Sequence, residues 1–349
     1  MVTVGSDSHK QSHTLVAVDG NGRQLACRTV AATSLGHLEA MQWAQGWPQR
    51  RWALEDCRHL SRRLEADLLR AGEVVVRVAP RLMAGARAQA RERGKSDPID
   101  AMAVARVALR EPHLPQAQLE GREREVKLLL DHREDLVGER TRMQNRLRWH
   151  LHELEPGLRV AAGALDRKRV LARLAEQLAK HESLVAELAT ELVARIGELT
   201  IRIQQLERRI AELMAELSPR LLELAGCAAL TAAKIVGETA DVRRFRSRAA
   251  FAMNNGTAPI PVWSGNHQRF RLNRGGNRQL NAAMHRIAIT QLRLNGAGRI
   301  YLDAKVAAGA TKKEALRALR RRVSDEVYRR LREDRLERSV GTPRARGLT

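Results

Sequence analysis

The sequence predicts an α/β fold over about its first third and an all-α fold over the remainder. Two observations carry this. The first eighty residues alternate short runs rich in Val, Leu and Thr with turn residues and helix-length stretches. From about residue 117 Gly and Pro become scarce, Arg, Glu and Leu dominate, and apolar residues recur at steps of three and four.

In order, residues 2–6, 13–19 and 24–31 read as consecutive strands, with Asp19-Gly20-Asn21-Gly22 as a hairpin turn. A helix is expected at 34–45, a strand at 51–54, a helix at 56–71 and a strand at 73–79, ended by Pro80. A three-stranded meander followed by alternating helix and strand is the order of the ribonuclease H-like fold, expected over residues 1–116. Residues 118–155 and 169–217 predict long helices around a Pro156-Gly157 break, giving a helical domain at 117–218. Leu188, Leu192, Ile196, Leu199, Ile203, Leu206, Ile210, Leu213 and Leu217 form an a/d seam with one stutter near Leu192. The seam predicts a coiled-coil hairpin or pairing with another subunit; packing within the chain alone is the plainer alternative.

Pro219 ends that region, and a mostly helical domain is expected at 219–337. Residues 220–238 read as two short helices joined at Gly226, the form of a helix-hairpin-helix that would hold a backbone phosphate near Lys234. A plain helical hairpin fits that pattern equally well. Residues 254–278 read as loop and short hairpin, and helices follow at 279–294 and 312–334. The basic tail, 338–349, is expected to fray into disorder.

Charge narrows the partner. Lys and Arg outnumber Asp and Glu by 62 to 40, the formal net charge is +22 and the pI is about 11.2. Such an excess gives salt-sensitive affinity for phosphates and points to nucleic acid. Aromatic residues are only 3%, which argues against broad base-stacking platforms. Cys27, Cys57 and Cys227 are far apart without metal spacing and read as buried free thiols in a reducing compartment. No long apolar stretch or leader is visible, so neither a spanning segment nor a signal peptide is expected; the expectation is a cytoplasmic, nucleoid-associated protein with no membrane partner.

Four acids in the first hundred residues are the candidates for chemistry. Asp7 and Glu55 each follow a short apolar run, and Asp97 and Asp100 open a helix in Lys95-Ser96-Asp97-Pro98-Ile99-Asp100-Ala101. Phosphoryl transfer assisted by Mg²⁺ needs several hard oxygen ligands. Positions 97 and 100 share a helix face, and a strand end can present Asp7 or Glu55. Helix capping by Ser96 or Asp97, with Asp100 complementing the dipole, is the plainer role of that pair. His9 shares a strand face with Asp7 while Lys10 points away; solvated strand-end positions are the expectation, with a role near phosphate open to both.

Ser264, in Trp263-Ser264-Gly265, precedes Arg269, Arg271, Arg274 and Arg278. A serine in a glycine loop beside guanidinium groups could attack a phosphodiester, although most Ser-Gly pairs are simply turns. Arg140, Arg142, Arg146 and Arg148 lie on a helical stretch free of acids and read as a phosphate-binding face.

Together these segments resemble the DEDD transposases of bacterial insertion sequences, which act as bridge-RNA-guided recombinases. The resemblance rests on Gly5-Ser6-Asp7-Ser8-His9-Lys10, Glu55, the 95–101 segment, Gln144-Asn145-Arg146, Ala225-Gly226 through Glu238, Arg244-Phe245-Arg246-Ser247, Trp263-Ser264-Gly265 and Asn273-Arg274-Gly275-Gly276-Asn277-Arg278. It implies a RuvC-like N-terminal domain whose acids, here Asp7, Glu55, Asp97 and Asp100, bind Mg²⁺, two ions per site. It further implies a transposase domain with Ser264 as nucleophile, and a homo-oligomer, dimeric or tetrameric on DNA, with composite sites between subunits. Its partners would be donor and target double-stranded DNA and a structured guide RNA from the element. The chain departs from the family pattern at Asp56-Cys57-Arg58-His59 and at Met253-Asn254-Asn255-Gly256-Thr257.

The expected activity is therefore DNA excision and insertion through a phosphoserine link. The alternatives are a RuvC-like junction nuclease that uses water, and a non-catalytic nucleic-acid-binding scaffold.

Overall fold

The structure is a computed structural model that describes residues 1–80, 82–83, 96–111, 113–114, 116–119, 121–161 and 163–341. Lys95 and the tail beyond Gly341 lie outside the described residues. The chain divides into two compact units, Met1–Glu120 and Gly121–Thr349.

In the first unit the strands are β1 (Val2–Ser8), β2 (Ser12–Val18), β3 (Gln24–Ala31), β4 (Arg50–Glu55) and β5 (Val75–Val78), in sheet order β3-β2-β1-β4-β5. The first three pair antiparallel, and β4 and β5 add in parallel. This is the ribonuclease H-like order expected from the sequence. The turn between β2 and β3 is held by Asp19, whose carboxylate accepts from the amides of Asn21 and Arg23 at 2.9 Å.

Period-two alternation divides the sheet faces. On one face Val4, Leu15, Ala17, Trp52 and Leu54 pack with Leu64 and Leu68, under helices α1 (Ser34–Ala44) and α2 (Arg58–Arg70). On the other, Val16, Val18, Ala53 and Val78 meet Ala101, Val104, Ala105 and Ala108 of α3 (Asp97–Arg110). Cys227 is buried, and burial pushes its thiol up to about 12. Cys27 corrects the sequence expectation: it is exposed, because β3 is an edge strand that shows most of its residues to solvent.

The α1–α2 face holds a buried polar chain. His37 Nδ1 lies 2.6 Å from Asp67 Oδ2, and His37 Nε2 lies 3.3 Å from His13 Nε2. With Asp67 accepting from Nδ1–H, His37 Nε2 accepts and His13 Nε2 donates. Burial, followed by the charges of His37, His9 and Arg63, lowers the His13 pKa to about 4. The folded chain therefore binds fewer protons here than the unfolded chain between pH 6.5 and 4. The resulting stability is complete above 6.5 and lost as pH falls, by roughly 3 kcal/mol. Urea midpoints at pH 7 and pH 5 should show about 2 kcal/mol of this drop, and His13→Gln should flatten it.

The second unit is helical. α4 (Arg122–Leu154) and α6 (Leu184–Leu217) lie antiparallel, as ion pairs Arg122–Glu216, Arg133–Glu207 and Arg195–Glu139 require. The expected seam is buried from Ile196 to Leu217, while Leu188 stays 40% exposed. Its partner is α4 of the same chain, so intramolecular packing accounts for the seam without a second subunit. The expected unbroken helix at 169–217 is interrupted. α5 (Lys168–Leu178) ends early, and the Ser183 hydroxyl accepts from Ala186 N at 3.2 Å to start α6 afresh. Leu171, Leu174 and Leu178 of α5 then pack against Leu147, Leu151 and Ile196.

At the other end of the pair, Val126, Leu130 and Ile210 join a second core with Ile235, Leu280, Ile287 and Val323. These residues come from α4, α6, α8 (Ala229–Thr239), α10 (Arg278–Arg293) and α12 (Lys312–Gly341). The first expected short helix near 220 is a single turn, α7 (Pro219–Leu222). α9 (Arg248–Asn254) precedes a hairpin of β6 (Ile260–Ser264) and β7 (His267–Arg271). Two helices were not anticipated, α9 and α11 (Ala297–Ala307), the second of which starts behind Asn295 at φ 49 and Gly296. Among the described residues no helix is long and apolar enough to cross a membrane.

Candidate functional site

The register of β1 and β4 fixes where the first two acids stand. Their last paired residues are Ser6 and Leu54, so Asp7 and Glu55 follow side by side at the carboxyl ends of adjacent parallel strands. Ligands of open α/β sheets bind at such ends. The third and fourth acids arrive by close packing. α3 crosses β1 at Gly5, where an added Cβ would fall 2.2 Å from Ala101 O and 2.8 Å from Ala105 Cβ. Only glycine permits that approach, and it sets the first turn of α3, with Asp97 and Asp100, against the end of β1. Gly5→Ala should therefore cost about 3 kcal/mol, the upper end for overpacking, and weaken divalent-cation binding as α3 is pushed away. A thermal melt with and without Mn²⁺ reads both effects, and an unshifted melting temperature would count against this packing argument.

His9 Nε2 lies 3.1 Å from Asp7 Oδ2 and 3.4 Å from Asp97 Oδ1. Ligand atoms of Asp7, His9 and Asp97 all lie within 4.8 Å of one another. Asp7 is only 8% exposed. Burial raises its pKa, His9 counters this, and the charges of Asp100 and Asp97 raise it further. Like charges crowded at a buried edge are an electrostatic demand for a cation. Asp100 is buried as well. Ser96 makes no side-chain capping bond, so the plainer capping role expected of it is not the one it plays.

Glu55 stands beside Cys57. Burial raises the Cys57 thiol, then the charge of Glu55, with Asp7 contributing more weakly. That thiol therefore stays protonated, and the donors offered are hard carboxylate oxygens with one imidazole nitrogen. This set suits Mg²⁺ or Mn²⁺. The structure thus brings Asp7 and Asp97 into one ligand-sized group, with Asp100 and Glu55 next to it and outside it. His9 is exposed, as expected, and also belongs to the group. Its spacing of two from Asp7 on a strand was the available signal. Lys10 is exposed.

Ser264 belongs to the second unit. It ends β6, pairs with His267 and is exposed at the tip of the hairpin. Gly265 takes φ 56 at the first central position of the two-residue turn, which is the type II′ requirement. The loop leading from β7 is tied to α9 and to α8 by amide side chains. Asn273 Nδ2 donates to Met253 O at 2.9 Å, and Asn277 Nδ2 donates to Glu238 Oε2 at 2.7 Å. Burial alone would raise the Glu238 pKa, but hydrogen bonds from Lys127 and Asn277 outweigh it and hold the pKa low. Arg271, Arg274 and Arg278 are exposed, while the Arg269 side chain lies outside the described residues.

On α4, Arg142, Arg146 and Trp149 are exposed and Arg148 is partly so. Two expected phosphate ligands are placed differently. Arg140 points into the helix pair, 3.2 Å from Thr200 Oγ1 and 3.5 Å from Asp166. Lys234 is 7% exposed, with its ammonium 2.7 Å from Glu134. Its apolar neighbours on α8 carry it inward, where it joins α8 to α4 and does not face a phosphate.

A family model described as a transposase matches residues 4–156, and one described as the transposase IS116/IS110/IS902 family matches residues 218–302. Together they take in more than half of the chain. The chain is 27% identical to the insertion element IS116 uncharacterized 44.8 kDa protein of Streptomyces clavuligerus, over 96% of each chain. It is 24% identical to the insertion element IS900 uncharacterized 42 kDa protein of Mycobacterium paratuberculosis, over 95% of this chain and 96% of that one. A solved structure, T. thermophilus RuvC in complex with Holliday junction substrate, matches 34% of this chain and 99% of its own at 16% identity and a TM-score of 0.27. At that score it adds nothing to the strand order described above. The two family matches define a protein of the transposase class. The chain belongs to the DEDD transposases of the IS110 family.

Proposed function

We propose that this transposase excises and inserts its element by serine attack on DNA phosphodiesters, directed by a structured RNA that pairs with donor and target. The observation that carries this reading is the convergence of Asp7, His9 and Asp97 at one strand end in a chain of net charge +22. Asp7, Glu55, Asp97 and Asp100 would hold Mg²⁺, two ions in the full reading, to neutralise charge on the scissile phosphate. Ser264 Oγ attacks phosphorus and gives up its proton, and a deoxyribose oxygen of the cut strand leaves with a proton. The new phosphoserine ester keeps the bond order at phosphorus. A deoxyribose oxygen of the exchanged strand then displaces serine, and no nucleotide triphosphate is needed. Arg271, Arg274 and Arg278, exposed on the same hairpin and just after it, would hold the phosphate backbone. Arg142, Arg146 and Arg148 of α4 are proposed to bind nucleic acid as well, and the working form is a homo-oligomer, a dimer or a tetramer on DNA.

The acids are grouped within one compact unit without Ser264, and this favours a single second reading, a junction nuclease that uses water. One preparation separates the two. The protein is expressed with its native flanking DNA, copurified RNA is sequenced, and DNA bearing the element ends is added with Mg²⁺ before denaturation. A single flank-encoded RNA and a DNA-linked protein band are expected. Cleavage without any linked band would select the nuclease, and a smear of cellular RNA would remove the guide.

A further inference from the structure

The second unit contains a concave pocket of ≈ 770 Å³, of which the proposed strand-transfer chemistry uses only the rim residue Arg271. β7 lines it through Phe270 and Arg271, α12 through Arg317, Arg320 and Arg322, and α11 through Tyr301. Its size is that of a small-molecule site.

Its charge is out of balance. Among the described residues none of those four guanidinium groups forms an ion pair with a carboxylate. Arg320 is half-buried, donates to Asn281 Oδ1, and leaves its buried Nε–H without a partner. Burial, and then the charge of Arg317, lowers its pKa. Arg322 stacks 4.3 Å from the Tyr301 ring centroid. The acid at the rim, Glu314, accepts from Thr311 N at 2.9 Å and Thr311 Oγ1 at 2.7 Å through Oε2 alone, and its single negative charge leaves the pocket cationic. Clustered guanidinium groups with unmet donors select a phosphate. Phosphate alone, however, would not need an aromatic wall. Phe270 is 60% exposed at the pocket and presents an open ring face.

We propose that this pocket receives one unstacked nucleotide of a single strand, with its base against Phe270 and its phosphate on the arginine cluster of α12. The site is separate from the serine chemistry, though it shares the β6–β7 hairpin with Ser264. A strand held here would have one nucleotide flipped out of its stack. The ligand chemistry is common to a DNA strand and an unpaired RNA loop.

The test uses the full chain, with Phe270→Ala and Arg317→Ala as variants, since both side chains are exposed and neither supports a core. Fluorescence anisotropy measures binding of a short single-stranded DNA, the matching RNA and the corresponding DNA duplex. Phe270→Ala should weaken single-strand binding about tenfold and leave duplex binding within about twofold, since stacking requires a free base face. Loss for DNA alone assigns the pocket to a substrate strand, loss for RNA alone to an RNA loop, and equal loss to either sugar. In each case a bromouracil photocrosslink should map to Phe270 or Tyr301. Unchanged single-strand binding by Phe270→Ala, or an equal loss on duplex, would overturn the proposal and leave a general basic surface.

Discussion

Asp7→Asn should lower Mg²⁺-dependent strand cleavage by roughly 10²–10³-fold or more, the scale set by losing one charge-stabilising group at a reacting centre. The same change should raise the melting temperature of the metal-free protein. Burial and the neighbouring acids raise the Asp7 pKa above its ordinary value. For an acid shifted upward, the folded chain binds the proton more tightly than the unfolded chain does. The cost of folding is absent below the unfolded pKa of 3.8, grows as pH rises above it, and is complete above the folded pKa. Asparagine removes that cost, and a rise of roughly 2–6 °C is expected without metal. Mg²⁺ should raise the wild-type melting temperature and leave that of the variant nearly unchanged. A metal-free variant that melts below wild type would refute the account of Asp7 as a strained cation ligand.

Ser264→Ala is the complementary experiment. It should abolish the denaturant-resistant DNA adduct and reduce recombination by at least roughly 10³-fold, as removal of a covalent nucleophile does. Because Ser264 is exposed on a hairpin, its removal should leave the melting temperature and its response to Mg²⁺ intact. The two variants thus fail in different ways: one loses metal-linked stabilisation and the other keeps it. An adduct of undiminished yield in Ser264→Ala would end the serine reading while leaving the acid group untouched.

Much of the first unit was legible in the sequence because its strands alternate with period two and Asp19-Gly20 marks a turn. What the sequence did not display was contact. His9 reads as a solvated end residue until Asp97 is brought beside it by the crossing of α3 over Gly5. Lys234 reads as a cation for phosphate until α8 turns it toward Glu134. Arg140 reads as part of a basic face, yet Thr200 and Asp166 claim it. In the second unit the seam on α6 was visible and its partner was not, since heptad spacing specifies an apolar stripe and leaves open which helix covers it. The break before Ser183 was hidden because His181 and Glu182 are compatible with a helix. α11 was hidden because it is short and begins behind Asn295-Gly296.

If Ser264 is the nucleophile proposed above, the hairpin that bears it would govern when the attacking group is formed. Two strands joined by a two-residue turn are marginal in isolation, and this pair exposes Trp263 and Phe270. A partner that covered those rings would add to the support the hairpin has beside α12. Binding a strand would then freeze the hairpin and aim the hydroxyl in one event, with part of the association energy spent on lost conformational freedom. On the serine reading proposed above, a molecule with no strand bound would present a hydroxyl not yet aimed, and stray nicking of chromosomal DNA would be curbed.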